Sequence, residues 1–184
     1  MGPSSLRTAV ERLLPRQLLT ISPIEILGSA VAIGILLYLS KLSVAAIGDP
    51  LFVAPLAASI AIIFIDPKMT VSRTWNVMAG QFLSAAVALG VVALIGGYVE
   101  VAAMVAMALA LLVMHAARCL HPPACATALL IVVSPAIQHP VYLFLPVLVG
   151  AFVIVAIAWL VHLFEARFPS RWGRHQMRQR RTGG

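Results

Sequence analysis

The chain has 184 residues, of which 61% are hydrophobic and only 10% charged, with a formal net charge of +7. Soluble domains run nearer a quarter charged, so this composition cannot clothe a water-facing surface and excludes an ordinary soluble enzyme. The charge is also segregated: Arg7, Arg12 and Arg16 precede the first apolar stretch, and Arg167, Arg171, Arg174, Arg178, Arg180 and Arg181 follow the last. Basic tails flanking apolar spans fit the positive-inside rule and anionic lipid heads, which makes the bilayer the expected partner and argues against nucleic acid.

Residues 1–20 carry Leu6, Val10, Leu13, Leu14 and Leu18 at helical spacing, the pattern of an amphipathic interfacial segment. They lack the apolar core and small-residue cleavage site of a secretory signal. The transmembrane domain is expected over 21–166, and a basic cytoplasmic tail over 167–184.

Six apolar segments follow: Ile24–Ser40, Leu51–Ile65, Asn76–Ile95, Val99–Ala117, Ala124–Val133 and Tyr142–Phe164. The first, third, fourth and sixth approach or exceed the roughly 20 residues that cross a hydrocarbon core. The second and fifth are too short to cross comfortably. If all six cross and the N-terminus is cytoplasmic, twelve of the thirteen Lys and Arg residues lie inside and Lys41 alone lies outside. If the short segments dip in and return, the division is nine against four. Both schemes put both tails inside, and six crossings fit better.

The short segments resemble each other. Laying Ala54–Pro67 on Pro122–Pro135 pairs Pro55 with Pro123, Ala58 with Ala126, Ser59 with Thr127 and Pro67 with Pro135. With two extra residues in the second copy, Gly80 falls opposite Gly150. The expected fold is therefore an all-α, polytopic bundle of two three-segment repeats, about 24–96 and 99–164. An odd number of crossings per copy inverts the second, and short Pro-interrupted helices at matching positions point to a transporter midplane site.

Leu120-His121-Pro122-Pro123-Ala124-Cys125-Ala126-Thr127-Ala128-Leu129 is the most distinctive stretch. It resembles the signature of the HPP family of integral membrane proteins. The resemblance extends to Pro55-Leu56-Ala57-Ala58-Ser59-Ile60 and to Trp75-Asn76-Val77-Met78-Ala79-Gly80-Gln81-Phe82-Leu83-Ser84. Departures are Ala124 and Cys125 for two family glycines, Ala57 for a glycine and Gln81 for a histidine; the added groups would narrow a passage. The resemblance implies a small helical membrane domain, and plastid and cyanobacterial members are linked to nitrite transport.

Proline in a first turn starts a helix without losing a bond, and each proline disfavours helical geometry in the residue before it. A helix starting near Pro123 should then leave the amides of Ala124, Cys125 and Ala126 unpaired, a partially positive end suited to a small anion. A second short helix starting at Pro50 or Pro55 would, if inverted, face it. The candidate substrate-binding residues are His121, Ala124, Cys125, Ala126, Thr127, Ala58, Ser59 and Asn76, with Pro122, Pro123 and Pro55 as helix starters.

His121 has a functional reading, titrating near pH 6.5 and attracting or co-moving with an anion, and a structural one, bonding a backbone carbonyl. Asn76 and Gln81 have interhelical bonding as their plainer role. His115, Cys119, His121 and Cys125 cluster without a zinc spacing, so no metal or cofactor is expected. No nucleophile–base pair is evident, so no enzyme is expected. The reading is a transporter or channel for a small, nitrite-like inorganic anion in a bacterial inner membrane. The alternative is a non-transporting module for partner binding or sensing, and homo-oligomerisation stays open.

Overall fold

The structure is a computed structural model that describes residues 23–47, 53–65, 69–141 and 147–167. The interfacial segment expected over 1–20 and the tail beyond Arg167 lie outside the described residues. Among the described residues there are six α-helices and no strand. They are α1 (Pro23–Ile47), α2 (Val53–Ile65), α3 (Thr74–Ile95), α4 (Val99–Ala116), α5 (Pro123–Val133) and α6 (Gly150–Arg167). Single 3-10 turns occupy Thr70–Ser72 and Pro135–Ile137, and a π turn over 147–149 leads into α6.

Four stretches are long and apolar enough to cross a membrane: Ile24–Leu42, Thr74–Ile95, Val99–Ala116 and Val147–Phe164. The 13 residues of α2 rise only about 20 Å, and the 11 of α5 about 16 Å. Neither covers a hydrocarbon core of about 30 Å by itself. The outer surface is apolar, with Leu94, Met104, Leu112, Phe152 and Trp159 all exposed, as a lipid-facing surface requires.

Leu36, Leu56, Ile60, Ile131 and Ile154 are buried in the core, and the seam between α3 and α4 uses small residues. α4 turns Ala102, Ala106, Ala110 and Met114 inward at every fourth position, and α3 answers with Gly80, Ser84, Ala85 and Ala88. Small side chains let backbones approach closely where no hydrophobic effect drives helices together.

Which helices touch follows a pattern. α1 packs on α2, and α4 on α5; α3 packs on α5, and α6 on α2; α1 packs on α6, and α4 on α3. The remaining pairs are α2 with α5 and α3 with α6. Exchanging the first three helices with the last three leaves this scheme unchanged. Two glycines that the sequence alignment pairs repeat it locally. A Cβ on Gly80 would lie 2.8 Å from His121 Cβ, just before α5, and one on Gly150 would clash with a Leu56 methyl in α2. Each admits the start of the other half's short helix.

Candidate functional site

α4 ends in a Schellman turn. The Cys119 amide donates to the Met114 carbonyl at 2.9 Å and the Arg118 amide to the His115 carbonyl at 3.1 Å. Arg118 occupies the left-handed position at φ 53°, where glycine is usual. This reversal sends Leu120 and His121 back into the bundle, against α3. Gly80 gives the connection room, and Asn76 Nδ2 ties it down by donating to the Leu120 carbonyl at 3.0 Å.

His121, fully buried, is then held at both ring nitrogens. Nδ1 lies 2.8 Å from the Val71 carbonyl and Nε2 lies 2.8 Å from the Ser59 hydroxyl. A carbonyl only accepts, so Nδ1 donates. Ser59 Oγ also lies 3.1 Å from the Pro55 carbonyl of its own helix and receives Gln81 Nε2 at 3.0 Å. Gln81 Oε1 in turn accepts the Thr127 hydroxyl. Ser59, Gln81, His121 and Thr127 are all at 0% exposure, so one bonded chain links α2, α3 and α5 inside the bundle. Ser59 and Thr127, the hydroxyls paired by the repeat alignment, bond to opposite ends of one amide.

Of the residues singled out in the sequence, His121, Ser59 and Thr127 are in this chain and Asn76 bonds the connection beside it, while Ala124 and Cys125 are buried in an adjoining apolar cluster with Met114 and Cys119. Ala58 and Ala126 are exposed and stand apart from the polar chain. A helix turns about 100° per residue, so inward Ser59 and Thr127 carry the preceding alanine round the helix. Of the starters, Pro123 and Pro55 are buried and Pro122 is exposed.

The open helix end is corrected in detail. Pro122 is helical at φ −52° and ψ −39°, although a proline follows it. The tight turn this makes takes up the amides, Ala124 donating to the His121 carbonyl at 2.9 Å and Cys125 to the Pro122 carbonyl at 3.0 Å. Those two amides are therefore occupied rather than offered to a guest. α2 begins at Val53, with Pro55 inside its first turn.

Gln81 is the residue that the sequence reading left out of the site. Its signal lay in the stretch Asn76, Gly80, Gln81 and Ser84, polar or small at three- and four-residue steps within an otherwise apolar helix. At the far end of α5, Gln138 Nε2 caps the carbonyls of Ile131 at 3.2 Å and Val132 at 2.9 Å. A helix ending at membrane depth needs such partners, because lipid supplies none. Among the described residues no three His, Cys, Asp or Glu side chains gather to hold a metal.

Residues 15–169 match the family described as HPP, transmembrane region. Two transmembrane proteins of Dictyostelium discoideum are similar, one 36% and the other 34% identical over 123 residues, or 63% of this chain. The chain spans about two fifths of the length of these relatives, the matched part being 43% of the first and 40% of the second. No solved structure matches. With a family match over most of its length and four helices fit to cross a bilayer, this integral membrane protein belongs to the HPP family.

Proposed function

We propose that the protein carries a small inorganic anion, of nitrite's size and charge, across the membrane by way of the Ser59–Gln81–His121–Thr127 cluster. The observation that carries this reading is the full burial of four polar side chains between two helices too short to span. Polar groups inside a membrane protein are expensive, and where retained they commonly line ion or substrate paths. The cluster offers hydroxyl and amide donors, which suit a monovalent anion with several acceptor oxygens. Every polar atom named in the chain already has a protein partner. Passage would exchange the bonds at Ser59 and Gln81 for bonds to the ion.

The helix contact scheme supports the two halves as repeats of each other; in this reading they are inverted, with three membrane segments each and both tails on the basic, cytoplasmic side. In this reading the membrane is a bacterial inner membrane and the work is transport, without catalysis.

One observation favours the alternative of a non-transporting module. His121 and Asn76 bond the carbonyls of Val71 and Leu120, which are outside any α-helix and need partners in lipid. Nitrite uptake into proteoliposomes separates the two. Transport predicts uptake well above empty liposomes, lowered at least tenfold in a Ser59→Ala/Thr127→Val double variant. Uptake no faster than in empty liposomes sinks the transport reading.

A further inference from the structure

The Ser59 hydroxyl has three neighbours and one hydrogen. Gln81 Nε2 at 3.0 Å can only donate to it, the Pro55 carbonyl at 3.1 Å can only accept from it, and His121 Nε2 at 2.8 Å can do either. With a neutral ring, Nδ1 holds the proton against the Val71 carbonyl and Nε2 accepts the Ser59 O–H. With a charged ring, Nε2 gains a hydrogen and donates to Ser59 Oγ. The Ser59 O–H then turns to the Pro55 carbonyl, and Gln81 goes on donating as before. Both states are fully bonded, and passing between them needs only the rotation of one O–H, with every heavy atom in place. A helical serine commonly bonds the carbonyl four residues back, so the second acceptor is at hand within α2 itself.

We propose that His121 is a proton-binding site switched by the Ser59 hydroxyl, and that the proton is the co-substrate of the anion path. The second clause rests on the transport reading above. The balance is simple: His121 takes one proton from one side, an anion enters beside the imidazolium, and both leave on the other side with no net charge moved. Binding is reciprocal. An anion beside the ring stabilises its charge, and the charged ring stabilises the anion by the same factor.

Among the described residues no counter-charge meets the ring. α2, the 3-10 turn at Thr70–Ser72 and α3 contain no titratable side chain. Arg73 before α3, Glu100 and His115 on α4, and Arg118 after it are exposed, while Cys119 and Cys125 are buried and neutral as thiols. Asp66 and Lys68 lie outside the described residues. Both ring nitrogens are taken by Ser59 and Val71, so none of these groups forms a pair with the ring. His121 lies in the connection between α4 and α5, and burial lowers its proton affinity below the ordinary imidazole value, the Val71 bond opposing this in part. Burial therefore shifts the filling of the site toward acid pH.

The test uses the full chain in liposomes with the membrane potential clamped at zero, a pH-sensitive dye inside and nitrite as probe. Empty liposomes are run alongside to subtract the leak of nitrous acid. An inward proton gradient should drive nitrite uptake with matching proton entry, and the rate should fall about tenfold per pH unit above the ring's midpoint. His121→Asn should abolish the proton entry. In parallel, ring 15N spectra of the lipid-embedded protein should show Nδ1 protonated throughout and Nε2 gaining its proton as pH falls. Ser59→Ala should move that midpoint to more acid pH, because the charged ring loses its acceptor. Nitrite uptake without proton entry overturns the coupling and leaves transport standing. A titrating ring without nitrite uptake upholds the proton site and removes the anion path. A ring that stays neutral until the protein unfolds overturns the site itself.

Discussion

A histidine buried in a membrane protein is costly unless each of its nitrogens is answered, and here the backbone answers one and a serine the other. That arrangement depends on Gly80 more than on any polar group. A methyl at that position would sit 2.8 Å from His121 Cβ and 3.2 Å from the Cys119 carbonyl, and the backbone on that side has little freedom to yield. Gly80→Ala should therefore cost about 1–3 kcal/mol by overpacking, read as a lowered thermal midpoint in detergent. An unchanged midpoint would show that the connection before α5 moves easily. His121 and Ser59 were legible as site residues from the His-Pro-Pro motif and the repeat alignment. Gln81 was not, because an amide's role depends on which neighbours its helix face meets. In α3 that face is set by contacts with α2 and α5, which are remote in sequence.

Among the elements, α2 to α5 were read from the sequence to within two residues, since apolar runs have no other stable form in lipid, whereas α6, expected from Tyr142, begins at Gly150. α3, expected from Asn76, begins at Thr74 and ends at Ile95 as expected. α1 runs on to Ile47, past the expected end at Ser40, because Lys41 can lie on a helix end without breaking it. α5 starts at Pro123 as expected, but the amides of Ala124 and Cys125, expected unpaired, are taken up by the turn before it, for a specific reason. The preference of a pre-proline residue for extended backbone is statistical, and the turn at Pro122 overrides it. The turn after α4 carries a further test. Arg118 at φ 53° bears a left-handed strain of roughly 1–2 kcal/mol that glycine would not. Arg118→Gly should raise the thermal midpoint by the equivalent of up to about 1 kcal/mol, the looser unfolded chain offsetting part of the relief. A lowered midpoint would mean that the arginine side chain contributes more than its backbone costs.

For the whole molecule, large apolar side chains such as Leu94, Met104, Phe152 and Trp159 cover the outside, while the interior combines Leu36, Leu56, Ile60, Ile131 and Ile154 with alanine, Gly80 and a few polar groups. The membrane character and the six segments follow from composition and run length alone. How the halves meet does not, because alanine-rich helices pack acceptably on several faces and only the assembled bundle selects one. Among the contacts between the halves are the reciprocal ones of α3 with α5 and α6 with α2, and the polar chain lies where the first of these meets α2. Whether that chain is a passage or only a tie between helices is decided at Gln81, which joins Ser59 to Thr127. Leucine has nearly the same volume and lacks the amide. The decisive measurement is the nitrite uptake rate of Gln81→Leu in proteoliposomes, normalised to folded protein. The account predicts a loss of at least tenfold with the helical content retained. Uptake equal to wild type would show that the anion does not pass through the cluster.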